Sequence, residues 1–335
     1  MNEKHEAPLE GVHCEASRCL GLQGHYKMSG QQGRKIAIVG ASGNVGGGTL
    51  KALLAKGIHT ITAVTRTEST ATFPEGVIVK KGSYEDESFL VSAFQGQDVV
   101  QLALGFSSYA TGQEPLIRAA AKAGVEWILP TEYGSAPDPS KLLDSSPILQ
   151  GKIQIRKLIE ELGSNWIAIV NNPWYDWSMG AGFWGIDIKN RTAKLYDGGK
   201  TKFITTNIGT TGKGTAGVLS LPDAELEKYR NKPFYLKSFY ISQRDMLDSI
   251  QRATGTTDKD WKIEEPDAAT VVAQAEEAAK KGDHVAGLIS FYVNHMRAGW
   301  GGDYNDKATD LTKIGLEAED LDETTKRVVK EIEGQ

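Results

Sequence analysis

Lys35-Ile36-Ala37-Ile38-Val39-Gly40-Ala41-Ser42-Gly43-Asn44-Val45-Gly46 opens as a continuously apolar run and breaks into a glycine turn; residues 49–56 then read as a helix. A fully apolar strand suits the centre of a parallel sheet, where helices cover both faces. Strand, glycine turn and helix in that order let a backbone approach a pyrophosphate. The turn presents bare N–H groups, and the helix N-terminus adds about half a positive charge. The glycines fall as GxxGxxG at Gly40, Gly43 and Gly46, and Gly47 and Gly48 carry the run into the helix. Each glycine inside a helix costs about 1 kcal/mol relative to Ala. Close packing on a strand or a cofactor would offset that cost; a plain strand-to-helix turn is the alternative reading. The stretch points to a bound dinucleotide, with Gly40, Ser42, Gly43, Asn44, Val45 and Gly46 as its contacts.

One strand further on, residues 59–64 alternate and end at Thr65-Arg66-Thr67. Folds that prefer NAD carry an acid at this strand end for the ribose 2′-hydroxyl. Arg66 stands there instead, and a guanidinium suits a 2′-phosphate. NADP(H) is therefore expected over NAD(H), unless Arg66 is an ordinary solvated charge. The alternation continues with a strand at 77–80, a helix at 86–94, a strand at 98–104 closing at Gly105, a helix at 114–123 and a strand at 127–129. That last strand ends in Pro130-Thr131-Glu132-Tyr133-Gly134; a loop over 135–147, a helix and a strand at 166–170 follow. The order predicts an α/β fold, a doubly wound parallel sheet of the Rossmann kind with right-handed crossovers, and Gly105 as a further cofactor contact. After Asn172-Pro173 the pattern changes: aromatic residues and a Gly-Gly turn fill 174–203, a strand is expected at 234–239, and helices at 242–254, 268–281, 284–296 and 322–333. The expected division is a disordered extension over 1–33, an NADP-binding domain over 34–172, and a smaller, mostly helical substrate lobe over 173–335 with some strands returning to the sheet.

A chain of 335 residues, 40% hydrophobic and 24% charged, has the balance of a soluble globular protein, and a net charge of −5 argues against nucleic acid as a partner. No apolar run approaches the roughly 18 residues of a membrane span. Residues 1–33 lack the apolar core of a signal peptide, and Glu3, Glu6 and Glu10 argue against a transit peptide. Cys14 and Cys19 both lie in this stretch, near His5, His13 and His25, but the spacing fits no tetrahedral metal pattern, so no metal is expected. Met28 is a candidate alternative start. A cysteine-free body fits the cytosol.

The helix after the 135–147 loop carries a second signal. Ser146 can cap it and Pro147 suits its first turn. At 100° per residue Ile148, Ile155, Ile159 and Leu162 form one stripe, and Lys152 falls inside it. Arg156 sits at its border; Lys157, Glu160 and Glu161 project elsewhere. An inward lysine either snorkels or is placed for a purpose. Desolvated, its pKa falls and it can transfer protons near neutrality. A rival pair, Tyr196 and Lys200, spells YxxxK, but Gly198 and Gly199 between them predict a hairpin turn rather than a helix, so the match is read as chance.

Together these stretches resemble the NmrA-like, isoflavone-reductase-like branch of atypical short-chain dehydrogenases. The resemblance rests on residues 38–46, on Thr65-Arg66, on Leu129-Pro130-Thr131-Glu132-Tyr133-Gly134, which looks like that family's PSEFG segment, and on residues 152–160, which look like its KxxxRRxxE helix. Thr131 stands where the family usually has Ser, and Tyr133 where it has Phe. The resemblance implies an NADP-binding Rossmann domain with a small substrate domain, hydride from NADPH, and Lys152 as general acid/base; the first function expected is then a reductase of an aromatic or enone-type molecule, with Thr131 or Tyr133 orienting the substrate. Trp174, Tyr175 and Trp177 would suit a wall for a flat aromatic ligand, unless they are lobe core. A non-catalytic NADP-sensing regulator and a redox-neutral isomerase or epimerase are the competing functions. The expected partner is a small aromatic molecule, not nucleic acid or membrane, and a homodimer is the candidate assembly.

Overall fold

The computed structural model describes residues 31–105 and 112–334, so the extension with its cysteine and histidine readings lies almost wholly outside the described residues. In chain order the first half runs β1 (Lys35–Val39), α1 (Asn44–Lys56), β2 (Thr60–Arg66), β3 (Val77–Gly82), α2 (Glu87–Phe94), β4 (Val99–Leu102), α3 (Gln113–Lys122), β5 (Trp127–Leu129), α4 (Lys141–Ser145), α5 (Pro147–Glu161) and β6 (Asn165–Val170). The second half runs α6 (Tyr175–Gly180), β7 (Ile186–Asp187), β8 (Thr192–Lys194), β9 (Phe203–Thr205), α7 (Ile208–Val218), α8 (Asp223–Leu226), β10 (Lys232–Tyr235), β11 (Phe239–Ile241), α9 (Gln243–Thr254), β12 (Lys262–Glu264), α10 (Ala268–Lys280), α11 (His284–His295) and α12 (Leu321–Glu333).

The main sheet has 7 strands in the order β10-β6-β5-β4-β1-β2-β3, every neighbouring pair parallel. It is the doubly wound Rossmann arrangement that the strand–helix alternation predicts. The central strands are apolar because both faces are covered: Ile36 to Val39 on β1 and Val99, Val100 and Leu102 on β4 are fully buried. β1 pairs with β2 on one side and β4 on the other, so the chain reverses its winding there. Ligands of open α/β sheets bind at such a switch point, outside the carboxyl ends of the strands. A second core lies beyond residue 174, around Trp184, Phe203, Met246, Ile250 and Val293. It packs α6, α9, α11 and α12 against the small sheets β11-β9 and β12-β8-β7.

Several expected elements sit differently. α1 begins at Asn44, so Gly47 and Gly48 already lie within it. The 135–147 loop contains α4, started by Ser140, whose side chain accepts a hydrogen bond from the Leu143 N–H. The strand expected at 234–239 is two, β10 in the main sheet and β11 in the lobe. α7 was not legible, because its sequence IGTTGKGTAGV is rich in glycine. It forms because it packs closely on α1: a Cβ at Gly212 would lie 2.6 Å from the Gly48 carbonyl carbon.

Candidate functional site

The glycines of the turn have separate reasons. Gly40 has φ +82°, and a Cβ there would meet the Ala103 carbonyl oxygen at 2.2 Å. A Cβ at Gly46 would lie 2.2 Å from the Gly40 oxygen, so the start of α1 rests directly on the turn. Gly43 is the N-cap of α1 and supplies no side-chain hydrogen bond, and the first turn of the helix holds no acid. Ser42, Gly43 and Asn44 are exposed, whereas Val45 turns into the core. An exposed helix N-terminus without a side-chain cap leaves amide donors for an anion. A pyrophosphate fits this cradle, since glycine keeps the turn tight and its outer rim open. Arg66 ends β2 on the same edge of the sheet, exposed, and pairs with Glu68 at 3.2 Å; Gly105 follows β4, also exposed. The acid missing at the end of β2 thus comes two residues later, as the partner of Arg66.

Lys152 lies one turn below Leu149 on α5, and both are buried. The helix starts as its sequence predicts, with Ser146 accepting from the Leu149 N–H at 3.4 Å and Pro147 in first position. Its inward stripe, however, is Leu149, Lys152, Arg156 and Ile159. Ile148 is 40% exposed, and Arg156 is not at the border but at the centre. The correction is a rotation of the inward face by about 70°, less than one residue step, and Lys152 and Ile159 belong to both stripes. It follows from what the helix faces: the polar turn after β5 accepts the two cations.

That turn surrounds the lysine. The Lys152 ammonium donates to the Glu132 carbonyl oxygen and stands 3.8 Å from its carboxylate Oε2. Arg156 Nη1 holds the other carboxylate oxygen at 2.6 Å, and its guanidinium stacks on Trp166 with 5.4 Å to the ring centre. A Cβ at Gly134 would lie 3.0 Å from Lys152 Nζ, so the amine sits tightly against this glycine. The Gly134 carbonyl accepts from the Asn171 and Asn172 N–H groups at the end of β6, both at 3.0 Å. Burial pushes the Lys152 pKa down, and the nearby Glu132 charge works against that shift.

The neighbouring hydroxyls are held inside the protein. Thr131 Oγ1 donates to the Leu102 carbonyl at 3.1 Å and accepts from the Leu104 N–H at 3.2 Å, tying the end of β5 to the end of β4. Tyr133, with φ +28°, accepts at its hydroxyl from Gln101 Nε2 at 2.8 Å, and the same amide donates to Thr49 of α1 at 3.1 Å. Burial raises the Tyr133 pKa. The two residues couple the lysine turn to β4 and to α1.

Among the aromatic candidates, Trp177 is exposed and Trp174 half-buried, with ring centres 6.2 Å apart. Trp174 Nε1 donates to Thr211 of α7 at 3.1 Å. Tyr175 is not part of a wall: it is fully buried, 2.6 Å from Thr325 Oγ1 and edge-on to Phe239. At the start of α6 Trp174 and Asp176 are half-buried and Trp177 is exposed, while Tyr175 faces the core. Tyr196 and Lys200 do not form a helical pair. Asp197 and Gly198 between them have φ of +51° and +78°, and the turn joins β8 to β9 rather than closing a hairpin. A cavity of about 910 Å³ in the lobe, bordered by Phe183, Ile186, Lys189, Tyr196, Val271 and Ile289, includes neither Lys152 nor the glycine turn.

Sequence reasoning missed a buried pair beside the lysine. Ser135 Oγ lies 2.7 Å from Nε2 of His295 at the end of α11, and His295 Nδ1 lies 2.8 Å from the Phe291 carbonyl. A carbonyl only accepts, so Nδ1 carries the proton and Nε2 accepts a hydrogen bond from the Ser135 hydroxyl. Burial first, opposed by the Phe291 bond and aided by the Lys152 charge, lowers the His295 pKa to about 4. Nothing in the spacing of residues 135 and 295 could have brought them together.

The model of the NmrA-like family matches residues 32–176. Oxidoreductase aprR of Aspergillus flavus is 30% identical over 309 residues, 88% of this chain and 99% of that protein. Phenylcoumaran benzylic ether reductase IRL1 of Ginkgo biloba is 32% identical over 151 residues, 41% of this chain and 48% of that one. Among solved structures, AtPrR2 with NADP⁺ and (+)pinoresinol superposes with a TM-score of 0.72 at 22% identity, covering 89% of this chain and 99% of that chain.

Proposed function

The chain belongs to the NmrA-like, isoflavone-reductase-like family, and from that premise we propose that it is an NADPH-dependent reductase of an aromatic or enone-type small molecule, with Lys152 as its general acid/base. The observation that carries this reading is the buried Lys152 amine, bonded to a backbone carbonyl at the carboxyl edge of the sheet. A cofactor-sensing protein gains nothing from desolvating an amine there. The reductase and oxidoreductase names of the relatives support the reaction class, and an NADP⁺-bound neighbour supports the cofactor.

Gly40, Ser42, Gly43, Asn44 and Gly46 would hold the pyrophosphate, with Val45 packing beneath it, Arg66 the 2′-phosphate, and Gly105 would leave room for the rest. NADPH supplies a hydride when bound. Lys152 gives its proton to the substrate oxygen on which charge develops, and is left as the neutral amine that burial favours. Thr131 and Tyr133 keep the turn that carries Glu132 and Gly134 in register with β4 and α1. Trp177 and Trp174 offer ring faces to a flat substrate, in keeping with the pinoresinol held by AtPrR2.

The test is NADPH consumption with a panel of phenolic and enone compounds, for the wild type and for Lys152→Ala. A general acid contributes about 10²–10⁴-fold, and the variant should lose that much turnover. Undiminished consumption by the variant would remove Lys152 from the mechanism. Clear preference for NADP⁺ with no turnover of any compound would favour a regulator.

A further inference from the structure

We propose that His295 is a positioning residue for the lysine turn: it reaches in from the lobe, holds the Ser135 hydroxyl, and so fixes the backbone against which Lys152 rests. The proposal rests on the reading that Lys152 passes a proton to substrate. Ser135 follows directly on Gly134, His295 closes α11, and both are buried. Their 2.7 Å hydrogen bond therefore joins the turn after β5 to the second half of the chain. The other anchors of the turn come from the main sheet. Thr131 and Tyr133 are tied to β4, and the Gly134 carbonyl accepts from the N–H groups of Asn171 and Asn172 at the end of β6.

The contacts around Ser135 and His295 close into a circuit. A Cβ at Gly302 would lie 2.1 Å from the His295 carbonyl oxygen, so the segment after α11 passes directly over the end of that helix. The Gly302 carbonyl accepts from Asn172 Nδ2 at 2.8 Å. Asn172 also donates its backbone N–H to Gly134, next to Ser135, at 3.0 Å. Asn172 has φ +53°, a conformation that asparagine adopts more readily than most residues. His295 itself is held at Nδ1 by the Phe291 carbonyl, with the two rings edge-on and 4.4 Å between their centres. The lysine feels this circuit through the backbone. Its ammonium donates to the Glu132 carbonyl and sits tightly against Gly134, so a shift of the turn moves the place of the amine.

The experiment measures amide hydrogen exchange and turnover in the full-length protein. His295→Leu removes the acceptor, His295→Gln keeps one, and Ser135→Ala removes the donor. The Asn171 and Asn172 amides report on the turn, because they donate to Gly134; the amides of β1 report on overall stability. In His295→Leu and Ser135→Ala the first set should exchange about tenfold faster relative to β1, as for the loss of one hydrogen bond. Misplacement by about 1 Å can cost about 100-fold in rate, so kcat with NADPH should fall by up to that factor. His295→Gln should keep both near wild type. Exchange at 171 and 172 that rises only in step with β1 would overturn the proposal, as would equal changes in the Gln and Leu variants. Faster exchange with undiminished kcat would overturn the positioning role and leave the reductase reading standing. Should the wild type turn over no compound, that reading falls, and exchange alone decides whether His295 holds the turn. Should His295→Leu not fold, Ser135→Ala carries the test with the same outcomes.

Discussion

Gly212 of α7 presses on Gly48 of α1 so closely that a Cβ on Gly212 would lie 2.6 Å from the Gly48 carbonyl carbon and 2.9 Å from the Thr49 nitrogen. The reverse is not true. A Cβ on Gly48 would meet Gly212 Cα at 3.6 Å, an ordinary contact. Gly212→Ala should therefore destabilise the fold by about 1–3 kcal/mol through overpacking. Gly48→Ala should be near neutral, or gain up to about 1 kcal/mol from helix propensity. Urea unfolding of the two variants checks this; equal losses would mean that the helix contact is not what fixes Gly212.

This contact also marks where reading by pattern stops. β1, its glycine turn and β5 were legible because their signals are local: an apolar run, a turn, a cap such as Ser146. α7 was hidden because its glycines weaken local helix propensity and act only through α1 and the side chains of Leu236 and Ile314. Lys152 was legible as an inward residue, but the phase of its helix was off by about 70°, because charged Arg156 belongs to the buried stripe and apolar Ile148 does not. Tyr175 looked like a ligand residue from composition, and only the packing of α6 on Phe239 and Thr325 places it in the core. His295 reaches the site across 160 residues of sequence, a relation no spacing could suggest.

Arg66 should decide between the cofactors. Its side chain is exposed at the end of β2 and shares only a 3.2 Å exposed contact with Glu68, which contributes little. A charge-assisted hydrogen bond is worth about 1.5–3 kcal/mol, so Arg66→Ala should weaken NADP(H) binding by roughly 10–100-fold. NAD(H), which has no 2′-phosphate, should bind the variant as it binds the wild type. Calorimetric titration with both cofactors distinguishes this from an equal loss, which would show that Arg66 does not read the 2′-phosphate.

Glu319 should hold the first turn of α7. Its carboxylate accepts from Asn207 Nδ2 at 3.0 Å, from Thr210 Oγ1 at 2.6 Å and from Ser238 Oγ. Asn207 is the N-cap of that helix, and a carboxylate at a helix N-terminus is favoured by the backbone dipoles. Glu319→Ala strips a charged acceptor from three donors and should cost about 1–3 kcal/mol in urea unfolding. Amides in the first turn of α7 should also exchange faster in the variant. Wild-type exchange there would show that Glu319 does not anchor the helix.

His295 should make stability fall on mild acidification. It is buried and neutral, with its pKa lowered to about 4 from an ordinary value of 6.5. Between those values the unfolded chain binds a proton that the folded protein does not, so stability rises with pH across the window. The contribution is fully present above about 6.5, declines as the pH falls, and is exhausted near 4. A gap of that size corresponds to roughly 3 kcal/mol. His59 is shifted in the same direction, by burial and then by Arg34, so it adds to the slope and the test must isolate His295. Gln at position 295 keeps an acceptor for the Ser135 hydroxyl but has no proton to gain. Urea midpoints measured at intervals from pH 7 to pH 4.5 should therefore fall less steeply in His295→Gln than in the wild type. Parallel slopes would mean that His295 takes up its proton in the folded protein at the same pH as in the unfolded chain, and that burial does not hold it neutral.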